Sequence, residues 1–191
     1  MGRLRGMKKF VLALVRCVAG VAPRLLVKAL FGNIWRMRVF IQTMQKRRNC
    51  VDRALADIFA QLSLKYWESY GSWVGTNAII DSPPTFPHGP VGFFCSNNAH
   101  IGANCVIFQH VTIGSNTLKD SKNKGAPHLE ECVYVGCGAK IIGNVRVGRN
   151  ARIGANCVVV KDVPENSVTV IRCVESIVKK DKLDNEFMPG A

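Results

Sequence analysis

The sequence feature that most constrains the fold is a six-residue repeat in the C-terminal part of the chain. An aliphatic residue stands at every sixth position, and the same step resumes after one interruption. A period of six matches neither an α-helix nor a single strand, but it matches one flat side of a three-sided parallel β-coil. The aliphatic positions are Ile101, Ile107, Ile113, Leu129, Val135, Ile141, Val147, Ile153 and Val159.

A second position of the repeat, four residues after each aliphatic one, is small or aliphatic. Both positions are expected to point inward, so that stacked coils bury a continuous core. Glycine often follows the aliphatic residue, as in Ile101-Gly102 and Val147-Gly148, where a side chain would obstruct the turn. The second positions are Cys105, Val111, Val133, Ala139, Val145, Ala151, Cys157 and Val163.

Residues 116–128 interrupt the repeat with a polar, turn-forming stretch. We expect this stretch to project from the solenoid as a loop, and loops of this kind often carry function.

Basic residues are concentrated at the N-terminus. Residues 1–50 hold 12 of the 26 lysines and arginines and no acidic residue, whereas residues 51–191 hold 14 basic and 13 acidic residues. The chain therefore reads as a nearly neutral body with a basic N-terminal segment. Such a segment suits an anionic membrane surface, since apolar residues alternate with its charges. A helical lid packed on the body is the alternative, and no recognition motif indicates nucleic acid.

The sequence predicts no transmembrane helix, because Arg16 ends the apolar run at residues 10–15 well short of the ~20 residues a span needs. A secretory signal peptide is disfavoured by Arg16 and by Pro23. The eight cysteines form no CxxC pair, which indicates buried, reduced thiols in a cytoplasmic protein.

Apolar residues recur at helical spacing over residues 24–66, in two stripes. The first runs from Leu26 through Ile34 to Met44, and the second from Val51 to Tyr66. We therefore expect a basic, amphipathic helical segment at residues 1–72, a β-helix domain at 73–178 and a polar tail at 179–191.

Four segments resemble the serine O-acetyltransferase family and its relatives in polysaccharide biosynthesis. They are residues 86–94 (Phe-Pro-His-Gly-Pro-Val-Gly-Phe-Phe), 98–114, 135–145 and 153–167. The resemblance implies a left-handed β-helix, a homotrimer, acetyl-CoA as the donor and a catalytic histidine. The handedness rests on the resemblance alone, since most parallel crossovers are right-handed.

The resemblance also implies roles for individual residues. His88 aligns with the catalytic histidine, and a neutral imidazole can take the proton of a hydroxyl acceptor. Asp81, seven residues earlier, is the expected orienting acid, although it does not stand at the family's spacing. His110 is expected to line the acceptor site at the lip of the loop, one face away from His88. Small side chains at Ser115, Cys137 and Ala155 would contact the pantetheine arm, while Arg152 and Lys161 would meet the phosphates of acetyl-CoA.

Three departures from the family pattern concern the substrates. Pro87 replaces the aspartate before the histidine, and Gly125-Ala126-Pro127 lacks the histidine that ends the family's loop. Residues 170–174 differ from a segment that contacts the donor. The first two departures fall at positions that hold the amino acid in the family, so they count against serine. Serine is the leading acceptor by family name, and a sugar hydroxyl in surface polysaccharide assembly is the alternative.

Other functions remain open from the sequence. A metal-dependent β-helix hydratase would need histidines to converge, and His88 and His100 are 12 residues apart, which places them two faces apart on one coil. No metal is therefore expected. A non-catalytic scaffold is the remaining alternative.

Overall fold

The computed structural model describes residues 23–31, 33–36 and 50–172. In this part of the chain, the helices α1 (Pro23–Phe31) and α2 (Cys50–Glu68) precede the repeat. Thirteen short strands, each of two or three residues, follow within residues 73–172. They are β1 (Trp73–Val74), β2 (Ile79–Ile80), β3 (Phe94–Cys95), β4 (His100–Ile101), β5 (Val106–Ile107), β6 (Thr112–Gly114), β7 (His128–Leu129), β8 (Tyr134–Val135), β9 (Lys140–Ile142), β10 (Arg146–Val147), β11 (Arg152–Ile153), β12 (Val158–Val159) and β13 (Val168–Thr169).

The strands form three parallel sheets, one for each side of a triangular coil. The first face holds β1, β3, β6, β9 and β12; the second holds β2, β4, β7 and β10; the third holds β5, β8, β11 and β13. The chain visits the three faces in turn and returns to pair with the coil before it. The solenoid predicted from the six-residue repeat is therefore confirmed.

All of the repeat positions predicted to point inward are buried. Each aliphatic residue and each small residue four places later has at most 7% of its surface exposed. Glycine after the aliphatic residue leaves room for the neighbouring coil: a Cβ on Gly102 would lie 2.6 Å from the backbone carbon of Glu130. The repeat thus specifies both the core and the close spacing of the coils.

Two coils are longer than the regular one. Strand partners such as Lys140 and Val158 are 18 residues apart, but Trp73 and Phe94 are 21 apart and Thr112 and Lys140 are 28 apart. The first excess, of three residues, falls between the third and first faces. The second, of ten residues, is the loop between β6 and β7. Both insertions lie at corners, where extra chain leaves the strand pairing intact.

The loop leaves the solenoid between β6 and β7 and is tied to the body. It is closed by an antiparallel bridge between Asn116 and Gly125. The Asn123 side-chain amide donates to the carbonyl oxygens of Ile142, at 3.3 Å, and Val160, at 3.1 Å. His128, which we expected at the end of the loop, belongs to β7.

The helices cover the open N-terminal end of the β-helix. Trp67 is 2% exposed and packs edge-on against Trp35 and Tyr66, with ring centroids 5.8 and 5.4 Å away. Val27 and Ile34 are also buried. Within the described part of the predicted basic segment, these apolar side chains therefore pack on the protein. The rest of that segment, and the predicted tail at 179–191, lie outside the described residues.

Among the described cysteines, the expectation of burial holds for three. Cys95, Cys105 and Cys157 are buried, whereas Cys132 is exposed and Cys137 is half-buried. Burial raises the pKa of the Cys105 thiol to about 11, which keeps it protonated. No described helix is long and apolar enough to cross a membrane.

Candidate active site at the front corner

The corner between the third and first faces carries His88, and we call it the front corner. It consists of residues 86–93, 108–111, 136–139 and 154–157 on successive coils. The three extra residues of the first coil lie here, and they place the His88 side chain outside the core, where it is exposed. Such a position suits a group that must meet a substrate.

The extended turn is braced by the residues that follow α2. Phe93 donates its backbone N–H to the Ser72 hydroxyl at 3.0 Å, and this hydroxyl donates to the carbonyl oxygen of Pro90. Gly92 donates to the Tyr70 carbonyl at 3.2 Å. Ser72 itself is buried. The turn around His88 is therefore held from one side by the helical segment.

The His88 imidazole is held by the coil beneath it. Its Nδ1 lies 3.0 Å from Oε1 of Gln109, and its ring contacts Phe108 edge-on with centroids 5.4 Å apart. Phe108 in turn packs on Tyr134 at 5.2 Å. An amide oxygen can only accept, so this contact suits the tautomer that carries its proton on Nδ1 and keeps a lone pair on Nε2. The sequence did not single out Gln109, since its contact depends on how two corners stack.

His110 lies in the front corner, one coil below His88, and this corrects the expectation that it is one face away at the lip of the loop. The intervening strand β6 separates His110 from the loop. His110 has a left-handed backbone, with φ 60°, and its N–H donates to the Val91 carbonyl at 2.9 Å. Its side chain lines an open cavity of ≈ 350 Å³ with Tyr70, Val91, Phe94, Thr112 and Lys140.

Asp81 does not contact His88, which corrects its predicted role as the orienting acid. Its Oδ2 lies 2.9 Å from Nε2 of His100. The reason is the strand register: Ile79 pairs with His100, so the residues just after β2 lie on the second face. His88 follows on a different corner, beyond Pro84 and Thr85.

The residues predicted to bind the donor divide between two corners. Cys137 and Ala155 lie in the front corner below His88, and the Asn156 N–H donates to the Cys137 carbonyl at 2.8 Å. Arg152 is exposed on the adjoining third face, beside Tyr134 in the neighbouring strand. Ser115 and Lys161 follow the strands of the first face, at the corner that carries the loop. Ser115 donates to the Ser96 hydroxyl there at 2.9 Å.

The second face holds a separate group of titratable residues. The rings of His100 and His128 pack with their centroids 4.3 Å apart and their planes tilted by 40°, and Arg146 is the strand partner below His128. Desolvation is the main cause that holds the pKa of His128 below its usual range, and the nearby His100 and Arg146 lower it further. Within residues 23–31, 33–36 and 50–172, no three His, Cys, Asp or Glu side chains come together so that they could hold a metal ion.

This lowered pKa predicts how stability depends on pH. Folded His128 binds a proton less tightly than the unfolded chain, so the folded state loses stability as the pH falls below the ordinary histidine value of ~6.5. Melting temperatures between pH 7.5 and 5 should fall with pH, and His128→Asn should flatten the decline. An equal decline in the variant would assign the effect to other groups. Glu130, whose pKa is lowered by Arg146, contributes only at lower pH.

Comparisons with known proteins agree with this architecture. The family model described as bacterial transferase hexapeptide (six repeats) matches residues 126–161. A curated serine acetyltransferase from Synechococcus elongatus is 37% identical over 125 residues, which cover 63% of this chain and 48% of the relative. One from Bacillus licheniformis is 35% identical over 137 residues, which cover 72% of this chain and 59% of the relative. The chain thus spans about half to three fifths of the length of these relatives.

Solved structures show the same fold. Serine acetyltransferase from Brucella abortus strain S19 superimposes with a TM-score of 0.56 at 25% identity, covering 70% of this chain and 51% of that chain. Serine acetyltransferase 1 from Entamoeba histolytica, in complex with L-cysteine, gives 0.53 at 27% identity, covering 72% and 52%. These similarities show that the β-helix is left-handed, as the resemblance implied.

Proposed function

Since the chain carries the bacterial transferase hexapeptide repeat on a left-handed β-helix and resembles serine acetyltransferases, we propose that it is an acetyl-CoA-dependent O-acetyltransferase. The observation that carries the proposal is His88, an exposed imidazole on a braced turn whose Nδ1 is engaged by Gln109 at 3.0 Å. The atom left for chemistry is Nε2, as a general base requires.

The proposed reaction is direct transfer. His88 Nε2 takes the proton from the acceptor hydroxyl as its oxygen attacks the thioester carbonyl carbon. The C–S bond then breaks, and the imidazolium returns the proton to the departing thiolate of CoA. The acetyl ester and free CoA are the products, and His88 ends neutral. This cycle uses one group as base and then as acid, which a histidine does near neutral pH.

The donor residues support an assembly of more than one chain. Cys137, Ala155 and Arg152 line the front corner and the face beside it, on the second and third coils below His88, with neighbouring coils ~4.8 Å apart. Ser115 and Lys161 lie across the first face, at the corner that carries the loop. A groove that uses both sets forms where the front corner of one chain meets the loop corner of a second. A closed cyclic arrangement, the homotrimer that the resemblance implies, meets this requirement.

Serine is the leading acceptor, because the relatives that match this chain are named serine acetyltransferases. His110, in the same corner as His88 and facing a cavity, is the proposed acceptor contact.

A sugar hydroxyl is the second candidate, and the aromatic pair beside His88 favours it. Phe108 contacts the His88 ring, Tyr134 packs on Phe108 from the coil below, and Tyr134 is 40% exposed. Aromatic surfaces suit the apolar C–H face of a sugar ring.

The proposal is tested by thiol release from acetyl-CoA in the presence of serine, homoserine and sugar nucleotides in turn. Release that depends on one of these acceptors is expected, and the acceptor that gives the highest kcat/KM decides between the two candidates. Thiol release that no acceptor accelerates would contradict the proposal.

We further propose peripheral contact between residues 1–50 and an anionic membrane. The supporting observation is that residues 1–50 hold 12 basic residues and no acidic one. Each Lys or Arg near an anionic surface contributes about 1 kcal/mol. Ile34 of the apolar stripe is buried on the protein, so the basic side chains of the segment are the proposed membrane contact.

Flotation with liposomes rich in anionic lipid should therefore retain the chain at low salt. Replacing Arg3, Lys8 and Lys9 with glutamine should weaken retention, since about 3 kcal/mol of attraction is lost. Replacing Lys119, Lys122 and Lys124 in the loop removes the same charge and is the matched control. Equal retention of both variants would show that the N-terminal charges do not bind the membrane.

A further inference from the structure

We propose that Gln109 is the positioning residue of the catalytic base: it holds Nδ1–H of His88 and so fixes the tautomer in which Nε2 accepts the proton. This inference rests on the proposed function. It assigns to a neutral amide the place that a carboxylate occupies in many histidine-dependent enzymes. The evidence is the 3.0 Å contact between His88 Nδ1 and Gln109 Oε1.

Gln109 stands in a rigid part of the corner. Its carbonyl oxygen accepts the Gly138 N–H at 3.0 Å, and the next residue, His110, is bonded through its N–H to Val91 at 2.9 Å. The coil below and the extended turn above therefore both hold the backbone at Gln109 in place. With its backbone fixed, the Gln109 side-chain amide can keep the His88 ring of the coil above in one orientation.

The preceding residue completes the support. Phe108 contacts the His88 ring edge-on, with an interplanar angle of 86°. Two consecutive residues of one corner thus fix the imidazole, one by a hydrogen bond and one by packing. Together they restrict both the rotation of the ring and the choice of nitrogen that faces the groove.

No carboxylate takes part in this arrangement within the described part of the chain. Asp81, the nearest acid before His88 in the sequence, is bonded to His100 on the second face. The distinction has a chemical consequence. A carboxylate favours the charged imidazolium, whereas the uncharged amide selects a tautomer without stabilising the protonated ring to the same degree. A carboxylate in place of the Gln109 amide is therefore expected to favour the charged ring.

Three variants separate positioning from packing. Gln109→Leu keeps the size of the side chain but removes the acceptor, and it should lower kcat by about 10–100-fold with little change in the KM for acetyl-CoA. Gln109→Glu should remain active, but the acid limb of its pH–rate profile should move to higher pH. Gln61→Leu, on an exposed position of α2, is the matched control and should leave kcat unchanged.

A second measurement is independent of turnover. The ¹⁵N chemical shifts of His88 report which ring nitrogen carries the proton. In the unmodified protein the proton should reside on Nδ1, and Gln109→Leu should yield a mixture of tautomers. Because this readout needs no acceptor, it tests the inference even if the proposed transferase activity fails.

Two results would overturn the role of Gln109. One is a His88 that carries its proton on Nε2 in the unmodified protein. The other is a Gln109→Leu variant with unchanged kcat and an unchanged pH profile. A loss of kcat that is matched by a fall in melting temperature, with the tautomer retained, would assign Gln109 a structural role only.

Discussion

Replacing His88 with alanine should lower turnover by about 10²–10⁴-fold, the usual contribution of a positioned general base. The reason is that the acceptor hydroxyl then has no group to take its proton as it attacks the thioester. Folding should be unaffected, because the His88 side chain is exposed and its contacts are to Gln109 and Phe108 at the surface. Turnover of the purified variant with the preferred acceptor measures the effect.

His128→Ala is the matched control for this experiment, since His128 is also exposed but lies on the second face. It should retain turnover, and thermal melts should show that the His88 variant remains folded. Near-normal turnover of His88→Ala together with a large loss in His110→Ala would place the base at His110. That outcome would move the reaction to the cavity on the first face.

The largest expected effect on stability is that of Trp67→Ala, about 3–5 kcal/mol in the free energy of unfolding. Trp67 is 2% exposed and covers the first coil, which would otherwise present its apolar interior to water. Truncation leaves a cavity between Trp35, Tyr66 and the coil. Denaturant unfolding measures the loss as a fall in the midpoint concentration, with the dependence of the unfolding free energy on denaturant unchanged.

Tyr134→Ala is the control for aromatic truncation, because the Tyr134 ring is 40% exposed and should contribute far less. A loss below about 1 kcal/mol in Trp67→Ala would show that the helices do not act as a cap. The N-terminal segment would then be an attachment to the β-helix and not part of its core.

The inward positions of the β-helix could be predicted from the sequence because each is decided locally. Every coil repeats the same short strand and turn, so Ile141 and Ala139 are buried for the same reason as Ile113 and Val111. Handedness could not be predicted in this way, since both hands bury the same positions. It followed from resemblance and then from the solved relatives.

The partners of the candidate site residues were harder to predict, because they depend on which corner each insertion enters. Three extra residues in the first coil bring His88 over Gln109, 21 positions later, and leave Asp81 over His100. The path of the loop depends likewise on one side chain, Asn123, that reaches two carbonyls in other coils. Such contacts are long-range, and the repeat pattern contains no signal for them.

The most direct test of the proposed activity is the fate of an isotopically labelled acetyl group. Labelled acetyl-CoA is incubated with the protein and its preferred acceptor, and the acceptor is then examined by mass spectrometry. Label should appear as an ester on the acceptor oxygen, in amounts equal to the CoA released, and should be nearly absent with His88→Ala. Release of CoA without a labelled ester, or equal labelling by the His88 variant, would contradict acetyl transfer with His88 as the base.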